Sequence, residues 1–245
     1  MRLNVNVDLS KVFNYLALVS YILKDDYLNY PDRESKKFLR LESLGHSLDD
    51  FLKKHESIQK FIRPKIEETF KVKIKNPNLV TIALFTPSTK NTFIAIGNYI
   101  QNNHPDIYHI DRFDFMAKFG DVAQGLATLG DAALKLSITH ILWNEGIIDK
   151  GKITKAKERI EQNSNLAVYC DHLHLYENRI YVISKYFDPK PRTIEHIKAT
   201  LVEALLGIYY LEMGLQETLI LIKSLEEQQR AIYKKQYPLS ETSDF

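Results

Sequence analysis

Cysteine is almost absent from this 245-residue sequence, in which Cys170 is the only one. A single cysteine excludes a framework of disulfides within the chain and is typical of a protein from a reducing compartment. Long apolar runs are also missing, since the longest, around residues 15–23, falls short of the roughly 20 residues that a membrane span needs. The first residues lack the apolar stretch of a secretory signal. We therefore expect a cytoplasmic protein that makes no membrane contact.

Neither sign of charge dominates the chain. The 33 Lys and Arg residues against 31 Asp and Glu leave a net charge of +2, which is too small to indicate a nucleic-acid binder by itself. Residues 150–198 carry a local basic surplus, although such a surplus is more often an ordinary solvated face. A chain of this length has room for one sizeable core and an appendage.

The segment Gly120–Trp143 predicts one long helix. Past Leu129 its apolar positions surround the helix almost completely, which predicts burial. Asp131 lies within this apolar stretch, and a buried carboxylate requires a cation, hydrogen-bond donors or a raised pKa. Gly130 adds a cost of about 1 kcal/mol relative to alanine inside a helix. Close approach of a neighbouring backbone is the usual compensation for such a glycine.

A second helix of the same kind is predicted over Thr193–Met213, with Thr193 as its N-cap and Gly214 just after its end. Glu203 lies among its apolar residues, and Gly207 follows one turn later on the same face. We infer that Gly130 and Gly207 let the two helices cross closely, so that Asp131 and Glu203 converge. Converging carboxylates repel unless one is protonated or a divalent cation lies between them. Oxygen ligands favour Mg²⁺ or Mn²⁺.

Four stretches of the chain carry a resemblance to a known family. The segments LATLGDAALKL (126–136) and ATLVEALLGIYYLEMG (199–214) resemble the two signature segments of the ribonuclease III family. ITKAKERIEQNSNLAVYCDHLHL (153–175) is similar to its middle helices, and IEETFKVKIKNPNLVTIALFTPS (66–88) to its opening. Together they cover most of residues 64–222 in the order that the family has.

The resemblance implies an all-α, ribonuclease III-like helical endonuclease domain with a helical N-terminal extension. It further implies a homodimer that cleaves double-stranded or structured RNA with Mg²⁺ (or Mn²⁺), by attack of a metal-activated water on the phosphodiester. Carried over by position, the catalytic and metal-binding residues are Asp131 and Glu203. Two further acidic positions of the family hold Ala127 and Thr200, and a fifth, often acidic, holds Gln124.

The compact Mini-III subgroup, which lacks a separate RNA-binding domain, is the more similar branch. It also has a Leu-Ala-x-x-Gly-Asp segment and a threonine three residues before its glutamate. The residues beyond Gly214 are too few for a double-stranded-RNA-binding domain, so we expect the catalytic domain itself to contact RNA.

Two alternatives belong to other functional classes. The chain could be a catalytically silent RNA- or ribosome-binding module, whose remaining carboxylates are satisfied by neighbouring Lys, Arg or backbone groups. It could instead be a structural helical dimer whose N-terminal extension recruits a protein. The reduced acidic set favours these alternatives, whereas the retention of Asp131 and Glu203 in apolar surroundings favours the nuclease.

The predicted organisation has an extension over 1–60, a ribonuclease III-like domain over 61–235 and a flexible tail over 236–245. The extension is expected to form three helices: one from about residue 8 to 28, a second over 34–44 that ends at Gly45, and a third from Ser47. Pro64 and Asn76-Pro77 are expected to open the next two helices.

Several weaker candidates accompany the main site. Cys170 and His174 have a spacing that can serve zinc, but a structural zinc site needs four ligands, so a buried cysteine is favoured. Thr200 could hydrogen-bond a metal-bound water or its own helix backbone. Three basic residues of one predicted helix are candidate phosphate contacts: Lys155, Lys157 and Arg159.

Overall fold

The structure is a computed structural model that describes residues 9–182 and 189–236, without the side chains of 9, 159 and 226–236. Eleven α-helices account for most of the described chain, in which no strand occurs and one isolated parallel bridge joins Phe85 and Ile180. The predicted all-α class is therefore confirmed. The helices are α1 Leu9–Leu28, α2 Lys36–Ser57, α3 Arg63–Phe70, α4 Pro77–Ala83, α5 Lys90–Asn103, α6 Ile110–Met116, α7 Phe119–Asn144, α8 Lys150–Ile160, α9 Asn163–His172, α10 Leu175–Asn178 and α11 Pro191–Gln236.

Backbone contacts divide the chain into two compact units. Unit 1 comprises the described residues of Met1–Gly125 and Glu177–Asp188, and unit 2 those of Leu126–Tyr176 and Pro189–Phe245. The boundary falls inside α7, directly after Gly125. The domain boundaries expected from the sequence at 60 and 235 remain predictions, and most of the expected tail lies outside the described residues.

Unit 1 is built around the pairing of α1 with α2. The predicted apolar face of α1 is buried as expected, with Leu16, Val19 and Leu23 fully shielded from solvent. Phe51 of α2, Phe85, Phe93 of α5 and Phe119 form a cluster of rings with centroids 4.9 to 5.9 Å apart. Aromatic pairs at this spacing stabilise a core beyond the area that they bury.

The prediction that Gly45 ends a helix is wrong, because α2 runs without a break from Lys36 to Ser57. A Cβ at Gly45 would lie 2.8 Å from the ring of Tyr27 on α1, so the absence of a side chain at Gly45 leaves room for that ring. The helix begins where Ser35 caps it, with the Ser35 hydroxyl accepting a hydrogen bond from the backbone N–H of Phe38.

The helix that carries Glu203 begins earlier than expected, at Pro191 rather than at a Thr193 cap. Proline is well tolerated in the first turn of a helix because its missing N–H has no partner there. Gly214 interrupts α11 with φ 82° and ψ 179°, a conformation that favours glycine, so the predicted end at Gly214 is confirmed. The segment after Gly214 continues α11 to Gln236 in a new direction.

One stretch of the described chain, Pro191–Leu225, is long and apolar enough to cross a membrane by length and composition alone. Half of its most apolar window is buried in the structure, and the core helix of a soluble protein meets the same criterion. A search for uninterrupted apolar runs misses this segment because charged residues such as Glu203 divide it.

Candidate active site

The site lies in unit 2, where α7 and α11 cross backbone against backbone. A Cβ added at Gly130 would lie 1.8 Å from the carbonyl oxygen of Glu203, and one added at Gly207 would lie 2.1 Å from the carbonyl oxygen of Leu126. No side chain fits at either contact. The close crossing expected from the two glycines is therefore confirmed, and it places the backbone of Glu203 against the residue that precedes Asp131.

Asp131 is half-buried and forms an ion pair within its own helix. The Nζ atom of Lys135, one turn later on α7, donates a hydrogen bond to Asp131 Oδ2 at 2.8 Å. The Asp131 side chain is 34% exposed and that of Lys135 is 44% exposed, so solvent reaches both groups. The hydrogen bond to Asp131 raises the pKa of Lys135 above its ordinary value. The Lys135 side chain is therefore positively charged at neutral pH.

Glu203 is also half-buried, and its neighbours in α11, Val202 and Ala204, are each only 1% exposed. Burial, followed by the negative charge of Asp131, raises the pKa of Glu203 from 4.5 to about 7, against the opposing effect of the Lys135 ammonium. The negative charge of Asp131 therefore reaches Glu203 and disfavours its ionisation. A divalent cation between two carboxylates offsets the repulsion between their negative charges.

Glu161 is a third acidic residue near this group, and sequence reasoning missed it. Its charge reaches the Lys135 ammonium, as do those of Asp131 and Glu203. The Oε2 atom of Glu161 is buried and accepts no hydrogen bond from the described residues. Glu161 directly follows the last residue of α8, and nothing in its local sequence indicates that α8 ends beside α7 and α11. Among the described residues, no three of His, Cys, Asp and Glu form a group that could hold a metal ion.

One expectation about α7 is corrected. Burial does not extend all round the helix, because Leu136 is 51% and Trp143 60% exposed on a face that also includes Ala132. At the family's acidic positions, Ala127 is 4% exposed and packed in the core, whereas Gln124 lies at the surface. The sequence could not distinguish the buried from the exposed apolar positions of α7. A helix that is apolar all round can be fully buried in its own chain or can expose one apolar face to a partner.

The weaker candidates have more ordinary surroundings. Cys170 is completely buried, as expected of a cysteine in the core. The hydroxyl of Thr200 donates a hydrogen bond to the carbonyl oxygen of His196 at 2.9 Å, which is the backbone alternative considered for it. Lys155 is exposed, and the side chain of Arg159 lies outside the described residues.

The raised pKa of Glu203 predicts how stability depends on pH. Because the folded protein holds this proton more tightly than the unfolded chain, the free energy of unfolding should fall as pH rises from about 4.5 to about 7, by up to about 3 kcal/mol. A glutamine at this position carries no charge and avoids that loss. In EDTA, Glu203→Gln should therefore be more stable than the wild type at pH 8 and gain little at pH 5, as measured by thermal unfolding at both pH values.

Glu195→Gln serves as the matched control for that measurement, because Glu195 is exposed on the same helix. It should leave the difference in melting temperature between pH 5 and pH 8 unchanged. Equal pH dependence in wild type and Glu203→Gln would contradict the partial burial of the Glu203 carboxyl group beside Asp131.

The family model described as Ribonuclease III domain matches residues 124–214. No curated protein matches the chain. The matched segment contains Asp131, Lys135, Glu161 and Glu203, begins beside the boundary after Gly125 and ends at the break at Gly214. Residues 124–214 are thus similar to the ribonuclease III domain, which is the catalytic domain of a family of nucleases.

Proposed function

We propose that this protein is a divalent-metal-dependent endoribonuclease that cleaves double-stranded or structured RNA. The observation that carries the proposal is the glycine-mediated crossing of α7 and α11, which brings Glu203 within reach of the charge of Asp131, in a segment that matches the ribonuclease III domain. This arrangement has an energetic reason to bind a cation, because the charge of Asp131 raises the cost of ionising Glu203 and a cation offsets it.

The donor set fits Mg²⁺, or Mn²⁺ in its place. Asp131 and Glu203 offer only carboxylate oxygens, and hard divalent ions prefer such ligands. Magnesium ions commonly keep several waters and use one or two protein carboxylates together with a substrate phosphate. A site with two carboxylates therefore suits an ion that remains largely hydrated until RNA supplies further oxygens.

The chemistry that a bound Mg²⁺ supplies is the polarisation of a water as nucleophile and the screening of charge on the scissile phosphate. The residues of the chain provide the binding and the positioning. Half-exposed Asp131 remains accessible from solvent, and half-buried Glu203 supplies a second negative charge on a backbone that is fixed by the contact with Gly130. Surrounding apolar residues reduce screening by water and so strengthen these charge interactions.

We further propose a homodimer, closest in type to the Mini-III enzymes. The exposed face of α7 with Ala132, Leu136 and Trp143 supports this, because these apolar residues recur at helical spacing on one side of the helix. Exposed apolar patches of this kind are typical of subunit interfaces. Two copies would each contribute one site and cut one strand of an RNA duplex.

Cleavage of a long double-stranded RNA by the purified protein tests the proposed activity. We expect the RNA to shorten in excess MgCl₂ and to remain intact in excess EDTA. Fragments are to be resolved on denaturing gels, with single-stranded RNA of the same sequence as the control substrate. Equal degradation in EDTA, or no degradation with either Mg²⁺ or Mn²⁺, would contradict the proposal.

A catalytically silent RNA-binding module is the second candidate. The pairing of Asp131 with Lys135 favours it, because a carboxylate that already has a cation needs no metal. Ala127 and Thr200 at acidic positions of the family favour it as well. RNA retention at low salt without cleavage would select this candidate, and loss of that retention at high salt would indicate backbone contacts.

A further inference from the structure

We propose that Lys135 is a built-in competitor for the metal site: its ammonium occupies the cation position of the acidic group formed by Asp131, Glu161 and Glu203, and a divalent ion must displace it. This inference rests on the proposed function, because it concerns the same carboxylates. It assigns a role to two residues, Lys135 and Glu161, that the family's acidic positions do not include.

The position of the Lys135 ammonium is the first argument. It donates a hydrogen bond to Asp131 at 2.8 Å and interacts electrostatically with Glu161 and Glu203, so all three negative charges act on one positive charge. A metal ion and the Lys135 Nζ atom cannot occupy the same position beside Asp131 Oδ2. The site thus already holds one cation supplied by the chain.

The condition of Glu161 is the second argument. Its Oε2 atom is buried and unpartnered among the described residues, and a buried carboxylate oxygen without a donor is costly unless a positive charge lies nearby. Because no three acidic residues of the described chain are placed to share an ion, Glu161 contributes charge to the group rather than a third ligand. A single ammonium incompletely compensates three carboxylates, so the group favours an ion of higher charge.

Displacement of Lys135 needs no change in the fold. The ion pair joins residues one turn apart on the same helix, and the lysine side chain is 44% exposed. A lysine side chain is long and flexible, so its ammonium can turn towards solvent, or towards an RNA phosphate, while its backbone stays in α7. The lysine would therefore weaken metal binding in the free protein and impose little obstacle once RNA is present.

Calorimetric titration of the RNA-free protein with MgCl₂ at pH 8 tests the inference. Lys135→Met should bind Mg²⁺ about tenfold more tightly than the wild type, because a positive charge adjacent to the ion is removed. Lys135→Arg keeps the charge and should bind as weakly as the wild type. Lys223→Met, which removes an exposed lysine from α11 in the same unit, should leave the affinity unchanged.

A rise in melting temperature on addition of MgCl₂ provides a second measurement, and circular dichroism confirms that each variant is folded. The rise should be larger in Lys135→Met than in the wild type and should disappear in Lys135→Met combined with Asp131→Asn. Affinity in Lys135→Met equal to or weaker than that of the wild type would overturn the inference. Tight binding that survives Asp131→Asn would also overturn it, because the ion would then lie elsewhere.

Failure of the inference is distinguishable from failure of the proposed function by assaying wild-type RNA cleavage alongside. If the wild type cleaves RNA but Lys135→Met does not bind Mg²⁺ more tightly, the proposed nuclease function stands and the competitor role of Lys135 is wrong. If Lys135→Met binds Mg²⁺ more tightly through Asp131 but the wild type cuts no RNA, the competitor role stands and the protein is the catalytically silent module.

Discussion

The Asp131→Asn variant is expected to leave double-stranded RNA uncut under conditions in which the wild type degrades it. The substitution keeps the size of the side chain but removes one of the two carboxylates that would hold the metal. Loss of a ligand that supports metal-assisted attack costs several kcal/mol of transition-state stabilisation, which corresponds to a fall of about a thousandfold in cleavage rate. Initial rates on an end-labelled duplex, at saturating Mg²⁺, measure this effect.

Asp121→Asn is the matched control, because it makes the same exchange at an exposed position in the first turn of the same helix. It should cleave RNA at the wild-type rate. The oligomeric state and the melting temperature of Asp131→Asn must be compared with those of the wild type, since the substitution also removes the ion pair with Lys135. Unchanged cleavage by folded Asp131→Asn would place the active site elsewhere or indicate a contaminating nuclease.

Replacement of Gly130 by alanine is expected to produce the largest loss of stability of any glycine-to-alanine substitution in this chain. The new Cβ would lie 1.8 Å from the carbonyl oxygen of Glu203, and that oxygen belongs to a helix backbone that cannot turn aside. Overpacking a core typically costs about 1–3 kcal/mol and sometimes more. We expect the free energy of unfolding to fall by about 3 kcal/mol or more, as measured by urea denaturation.

Gly125→Ala provides a control within the same helix. No atom lies within 4 Å of a Cβ at Gly125, so the added methyl meets open space. Alanine is favoured over glycine in a helix by about 1 kcal/mol, so this variant should be slightly more stable than the wild type. The two substitutions are chemically identical, yet their effects should have opposite signs. Similar stability of the two variants would mean that α7 and α11 do not cross at Gly130.

The parts of the fold that could be predicted are those determined by local sequence. The predicted helix Gly120–Trp143 agrees with α7 to within one residue at each end, and Pro77 and Gly214 mark helix boundaries through their own backbone preferences. Gly45 misled the prediction because its role depends on Tyr27, which lies on another helix. A glycine that ends a helix and one that admits a neighbour look alike in sequence.

The candidate site was predictable only in part, for a related reason. Gly130 and Gly207 indicated the crossing because two costly glycines beside two acidic residues need a tertiary explanation. Lys135 follows Asp131 at the spacing of an ion pair within a helix, but spacing alone does not separate a surface pair from one that faces a site. The sequence did not indicate that Glu161 lies near the site, since its location depends on how α8 packs.

The burial of Ala127 limits how this site could be redesigned. A carboxylate introduced at that position would enter closely packed apolar surroundings without a water shell, and it would need new space as well as a counter-charge. Installing the fuller acidic pattern by mutagenesis therefore requires several coordinated substitutions rather than one.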